Sequence, residues 1–245
     1  MKKIFFVIMF LLMMTTSVSA ATEGPGFSSP EGATEAYLQG LVDNDLEEML
    51  AACAVETYVD NYNIGEEVSY SHSLWNTTAD GLVPQKGEFT RELDIEVRRS
   101  RLVEMIRFQY LKLIGAEIQN VPHVTYYEDD GTVDEFLDSY FIADDSEILS
   151  SIRFTGTYLD VNDITCGLFN SENNMINFRK SFAWYGVDEA VCLAPVIEAG
   201  GEQYLLAIEL GRYADKWYVL GFHGRLGILL NISYNDGGLA SFDEL

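Results

Sequence analysis

Three histidines, His72, His123 and His223, supply the side chains that change charge near neutral pH. His223 follows the strand-like run at 217–222 and precedes Gly224, so we expect it at a strand end, where pockets often open. It is our candidate for a general base or a ligand contact, with an ordinary surface or hydrogen-bonded histidine as the alternative. The sequence lacks His-x-x-x-His, Cys-x-x-Cys, the P-loop, the dinucleotide fingerprint and the serine-hydrolase motifs. We therefore predict no metal site and no cofactor.

An acidic segment at 128–147 contains nine acidic residues and no basic one. Carboxylates of this kind can hold calcium, but the regular ligand spacing of a calcium loop is missing around Gly131. The pattern favours a solvated acidic face, and a surface that binds a partner is the competing interpretation. Six of the basic residues lie between Arg91 and Lys112, so we expect this stretch to meet the acidic segment within the fold.

The three cysteines, Cys53, Cys166 and Cys192, are too few for a disulfide framework, and at most one bridge can form. Their apolar neighbours favour buried, unreactive thiols. Aromatic side chains are better candidates for a pocket that binds a small molecule, and core packing is the alternative role for most of them. The candidates for ligand binding are Tyr37, Tyr58, Tyr110, Trp184, Trp217 and Tyr218.

The first twenty residues have the pattern of a secretory signal peptide. Two lysines precede an apolar run at 4–14, and Val18-Ser19-Ala20 follows as a cleavage site, which leaves Ala21 as the new N-terminus. The run is too short to span a bilayer, and no lipid-anchor cysteine follows it. The sequence therefore predicts an exported protein, extracellular or in the cell envelope, without membrane insertion after cleavage.

The charge of the chain argues against nucleic acid as a partner. The whole sequence has 39 acidic and 15 basic residues, a net charge of −24, and removal of the leader takes two lysines away. Neutralising phosphates requires clustered lysine and arginine, which this chain does not supply in excess. Such an acidic balance mainly keeps an exported protein in solution.

Helical spacing predicts a short helix pair at the start of the mature chain. Ser28 or Ser29 caps the first helix, Pro30 lies in its first turn, and Asp45 caps the second. Residues 55–90 are expected to form a loop with a short helix. A longer helix is predicted over 91–114, with an apolar stripe from Leu102 to Ile114 and with Arg98, Arg101 and Lys112 off that stripe.

Strands dominate the C-terminal third of the sequence. Strand-like runs occur at 152–161 and 190–197, with a helix at 171–185 between them. The runs at 204–210 and 217–222 predict a hairpin, and the segment 224–233 is expected to pack across one end of the sheet.

The order of these elements resembles the nuclear-transport-factor-like (cystatin-like) α+β cone, and in particular uncharacterised exported proteins of Gram-positive bacteria. The resemblance rests on Ser29-Pro30-Glu31, Asp43-Asn44-Asp45 and Lys216-Trp217-Tyr218-Val219, together with AACAVETYVDNY, FTREL, AWYGVDE and RYADKWYVLGF. It implies an α+β fold in which a curved antiparallel sheet packs against the N-terminal helices. The extra length implies one elaborated domain over 21–245, with a mainly helical insertion at about 60–150.

Relatives with this fold use the mouth of the cone for ligands or for catalysis, but no catalytic motif of theirs aligns with this chain. We expect a non-catalytic module that binds a small molecule or a protein. A hydrolase, isomerase or dehydratase that uses His223 or a buried carboxylate is one alternative. A cell-envelope scaffold with an acidic interaction face is the other.

Overall fold

The computed structural model describes residues 23–71, 82–83, 86–115, 131–138 and 146–244. The protein is a mixed α+β structure in which seven helices precede the first strand of the described chain. The helices are α1 Pro30–Asp43, α2 Leu46–Ala51, α3 Glu56–Asn61, α4 Ile64–Ser71, α5 Glu88–Leu113, α6 Val133–Asp138, α7 Ser146–Ser151, α8 Val161–Ile164, α9 Glu172–Ala183 and α10 Gly224–Leu229. The strands are β1 Arg153–Tyr158, β2 Glu189–Leu193, β3 Pro195–Ala199, β4 Glu202–Leu206, β5 Ile208–Tyr213, β6 Lys216–Phe222 and β7 Leu239–Ser241.

The N-terminal helix pair has the caps that the sequence predicts. The hydroxyl of Ser29 accepts a hydrogen bond from the backbone N–H of Gly32 (3.1 Å), and Pro30 is the first helical residue. Asn44 ends α1 in the left-handed conformation, and the Asp45 carboxylate accepts the first N–H groups of α2. Short polar side chains satisfy backbone groups that a helix end leaves unpaired, so these residues fix where each helix begins and ends. Residues 55–90, expected as a loop with one short helix, instead contain α3, α4 and the start of α5.

Two antiparallel sheets replace the single sheet expected from the sequence. One has four strands in the order β1-β3-β4-β7, and the other has three in the order β2-β5-β6. The run 190–197 was predicted as one strand, but it breaks at Ala194, so that β2 and β3 enter different sheets. The run 204–210 breaks in the same way at Ala207. Both alanines are fully buried, and a small side chain lets the chain cross between sheets inside the core.

The hairpin predicted near the C-terminus is confirmed, although its first strand begins later than expected. Strands β5 and β6 pair from Ile208↔Phe222 to Tyr213↔Lys216, and Ala214-Asp215 forms the turn. The free edge of β6 is partly covered by single bridges from Phe27 and Cys53. These two bridges attach Phe27 and Cys53, in the N-terminal part of the described chain, to the edge strand β6.

Helices cover both faces of the sheets. Along β6, Trp217 and Val219 join a first core with α1, α2 and α5, while Tyr218 and Leu220 join a second core with α3, α9 and α10. Successive strand residues point to opposite faces, so both sets of side chains are buried only because each face has a helical layer. None of the helices in the described ranges is long and apolar enough to cross a bilayer.

The helix α5 contradicts one expectation about its polar residues. Arg98, predicted to lie away from the buried stripe, is only 4% exposed. Its guanidinium donates hydrogen bonds to the carbonyls of Ala54 (3.1 Å) and Leu220, and it lies 4.0 Å from the ring centroid of Tyr58. The helix is therefore buried on a second side, which the apolar periodicity of its sequence does not show.

We expect Arg98→Met to lower the free energy of unfolding by about 2–4 kcal/mol, because it removes the donor from buried carbonyls while keeping an apolar side chain in place. The matched control is Arg101→Met on the same helix. Arg101 is exposed, and its loss should change stability by no more than about 0.5 kcal/mol. Urea denaturation of the two variants checks the prediction, and equal midpoints would contradict it.

Candidate functional site

The larger candidate site is a cavity of about 350 Å³ between α1, α2, α5 and α7, which we call the helix cavity. Its walls are largely apolar, with Asn44 and Arg107 as the polar exceptions besides the hydroxyl of Tyr110. It is lined by Leu41, Asn44, Leu46, Met49, Val103, Ile106, Arg107, Tyr110, Leu113, Leu149 and Ile152. Ligand pockets have volumes of roughly 300–1,000 Å³ and predominantly apolar walls, and this cavity meets both criteria.

The apolar stripe of α5 supplies one wall of the helix cavity. Val103, Ile106 and Tyr110 follow one another at spacings of three and four residues, so they share a helix face. Arg107 lies four residues after Val103 and therefore borders the same face. The sequence predicts the apolar stripe but not the helix cavity beside it, because the cavity depends on how far α2 and α7 extend.

The second candidate site is a polar cavity of about 200 Å³ between α5, the ends of β5 and β6, and the start of α10. Its polar side chains come from α5, from the segment after α9, from β5, from the turn after β6 and from the 3₁₀ turn Tyr234–Asp236. They are Arg98, Arg101, Tyr185, Glu209, His223 and Tyr234. A carboxyl group, a histidine and two arginines therefore line one small space.

His223 lies at the strand end, as expected, and in an uncommon backbone conformation. Its φ of 71° and ψ of −78° place it in γ-turn geometry, which is strained for a residue with a side chain. Its backbone N–H donates to the carbonyl of Ala207, and its ring nitrogen Nε2 donates to the carbonyl of Ile232, both at 2.9 Å. The ring is thus oriented by a backbone contact, with its edge beside Tyr234.

Glu209 was missed by the sequence analysis. It is an acidic residue inside the otherwise apolar run at 204–210, and that placement was the signal available for finding it. Its carboxylate accepts a hydrogen bond from the backbone N–H of Arg225 (2.9 Å). Burial raises the pKa of Glu209, and the hydrogen bond and charge of Arg225 lower it by a smaller amount.

Five of the six aromatic candidates for ligand binding pack in the interior. Tyr37, Tyr58, Trp184, Trp217 and Tyr218 are each less than 10% exposed, whereas Tyr110 lines the helix cavity. The structure therefore does not bring the six together. Tyr37 donates its hydroxyl proton to the side-chain carbonyl of Gln109, and Tyr58 lies under the guanidinium of Arg98.

The cysteines are free, and two of them are buried as expected. Burial raises the pKa of Cys53 to about 12 and that of Cys192 well above its usual value, so neither thiol ionises readily. The expectation of a buried thiol is wrong for Cys166. This residue is exposed, with a φ of 51°, in the turn after α8.

Several predicted features lie wholly or partly outside the described residues. They are the leader at 1–20, His72, His123 and most of the acidic segment. Within the described ranges, no cluster of three or more acidic, histidine or cysteine side chains is arranged to hold a metal ion. Ion pairs of α5 are formed with Glu47, Asp60 and Glu244, among others, and not with the described part of the acidic segment.

Comparison with known proteins gives no relative from which the role of either cavity can be taken. No family model, no curated protein and no solved structure shows a significant match to this chain.

The polar cavity depends on the absence of a side chain at Gly224. This residue has a φ of 43°, and a Cβ atom on it would overlap the carboxylate of Glu209. We expect Gly224→Ala to lower the free energy of unfolding by about 2 kcal/mol. The control is Gly221→Ala, where the added methyl has no neighbour within 4 Å. The control should be neutral or should stabilise the fold by up to about 1 kcal/mol. Thermal unfolding measures both variants. A lower midpoint for Gly221→Ala than for Gly224→Ala would contradict the prediction.

The raised pKa of Glu209 makes a prediction about pH. The folded state binds the carboxyl proton of Glu209 more tightly than the unfolded chain does. The stabilisation that this protonated carboxyl group gives the fold is therefore complete below the usual glutamate pKa. It is lost as the pH rises from the usual value through the raised one. Glu209→Gln should therefore gain stability relative to the natural protein as the pH rises above the usual glutamate pKa. Thermal unfolding measured from below to above that pKa is the test, with the exposed Glu66→Gln as control; parallel curves for all three proteins would contradict the prediction.

Proposed function

We propose that this protein binds a small, largely apolar molecule in the helix cavity and performs no catalysis there. The observation that carries the proposal is an apolar cavity of about 350 Å³ whose walls come from four helices and from Ile152. Apolar walls stabilise a bound molecule by removing its surface from water, at roughly 25 cal/mol per Å². The few polar groups at the cavity suit orientation of a ligand better than bond cleavage.

The proposal also covers the location and the fold type of the protein. We infer export after cleavage of a signal peptide at 1–20, and a single domain of the nuclear-transport-factor-like cone type over 21–245. The α+β composition and the capped helix pair support the cone-type domain, and the residue pattern at 1–20 supports export. The long helix α5 falls in the range of about 60–150 that we assign to a helical insertion.

Catalysis at the polar cavity has less support. Glu209 and His223 line the same space, which is the arrangement that acid–base chemistry requires. The cavity measures only about 200 Å³, and Nε2 of His223 is already engaged by the carbonyl of Ile232. A scaffold acting through the acidic segment rests on residues that lie mostly outside the described ranges.

Binding is tested with 1-aminonaphthalene, a small, uncharged and largely apolar fluorophore, and the purified protein. We expect saturable binding, and Val103→Phe should weaken it at least 10-fold because the larger ring fills the cavity. Saturation at 100 times the dissociation constant adds about 2.7 kcal/mol to stability, which raises the unfolding midpoint by roughly 5–10 °C.

The matched control for this experiment is Val97→Phe, the same substitution on the same helix. Val97 is exposed and does not line the helix cavity, so the probe should bind this variant as it binds the natural protein. No saturable binding by the natural protein, or equal affinity in both phenylalanine variants, would rule out the proposed function.

A further inference from the structure

The basic residues of α5 differ in the partners that the fold gives them. Five of the six meet an acidic side chain or a buried carbonyl. Arg91 pairs with Asp60 and Glu56, Arg98 with two carbonyls, Arg99 with Glu47, Arg101 with Glu104, and Lys112 with Glu244 and Asp236. Arg107 is the exception, since its guanidinium meets no carboxylate in the part of the chain that the structure describes.

Arg107 is also the residue of this set that lines the helix cavity. The chain has 39 acidic residues to 15 basic ones, so carboxylates are abundant on its surface. A guanidinium offers a planar fork of donors that fits a carboxylate in a bidentate manner. Among the described residues the guanidinium of Arg107 has no carboxylate partner, and it borders an apolar cavity. It is therefore complementary to a ligand that combines a carboxylate with an apolar body.

The volume of the cavity limits the size of that ligand. Its volume of about 350 Å³ lies near the lower end of the roughly 300–1,000 Å³ of ligand pockets. A carboxylate carrying a single hydrocarbon chain of about ten carbons suits a small pocket of this kind. A membrane lipid is several times larger than such a molecule.

We propose that the ligand of the helix cavity is a free medium-chain monocarboxylate, with its carboxylate on Arg107 and its hydrocarbon against Leu41, Met49 and Ile106. The inference rests on the proposed function, because it assigns a chemical class to the molecule bound in the same cavity. The acidic surface of the protein opposes an anion at long range, but at physiological ionic strength screening confines that repulsion to about 8 Å. The short-range contact with Arg107 is what distinguishes the carboxylate from an uncharged molecule of equal length.

The test is calorimetric titration of the purified protein with decanoate, decanol and decylamine. We expect decanoate to bind at least 10-fold more tightly than decanol, a difference of about 1.4 kcal/mol, and decylamine to bind most weakly. Arg107→Gln should remove the preference for decanoate while leaving the affinity for decanol unchanged, and Arg107→Lys should keep part of it. Arg212→Gln removes one positive charge from β5, where Arg212 pairs with Glu189, and should leave all affinities unchanged.

Failure of this inference differs from failure of the proposed function. If decanol and decanoate bind equally well, or if Arg107→Gln weakens neither, the assignment of a carboxylate ligand is wrong while the cavity remains a binding site. A preference for decylamine would overturn the assignment in the same way. If none of the three molecules nor the uncharged fluorophore binds, the helix cavity has no ligand-binding function and both proposals fail.

Discussion

The buried guanidinium of Arg98 is the interaction on which the placement of α5 depends. It joins three separate parts of the chain: the long helix, the segment after α2 through Ala54, and the strand β6 through Leu220. A charge removed from water needs hydrogen bonds to offset the lost hydration, and here carbonyls and the face of Tyr58 provide that compensation. Sliding or rotating α5 would separate the charge from these partners, so the helix has one stable position on the sheet.

The fixed position of α5 explains why an apolar cavity exists beside it. Its 26 residues span about 39 Å, whereas α2 and α7, with six residues each, span about 9 Å. The short helices cover only part of the apolar stripe on the long one. The uncovered part of the stripe, including Val103 and Ile106, forms a wall of the helix cavity. On another side, the same helix presents Leu102 and Met105 to the polar cavity. One helix therefore separates an apolar space from a polar one.

The turn around His223 concentrates local strain where three elements meet. A non-glycine residue in γ-turn geometry persists only when its surroundings hold it there. Here the carbonyls of Ala207 and Ile232 hold the backbone and the ring, and Gly224 and Gly227 allow the close approach of neighbouring side chains. The result is a turn held by hydrogen bonds of both its backbone and its side chain, which suits a structural corner between β6 and α10.

Local sequence determined the helix caps at Ser29 and Asp45 and the apolar stripe of α5, because these depend only on neighbours along the chain. It also determined the C-terminal hairpin, whose strand-forming residues flank a short turn. The breaks at Ala194 and Ala207 could not be predicted, since an alanine in a strand-like run has no local signature of a change of sheet. The placement of Arg107 likewise depended on tertiary structure. It borders an apolar space only because distant helices leave that space beside it, and among the described residues no carboxylate pairs with it.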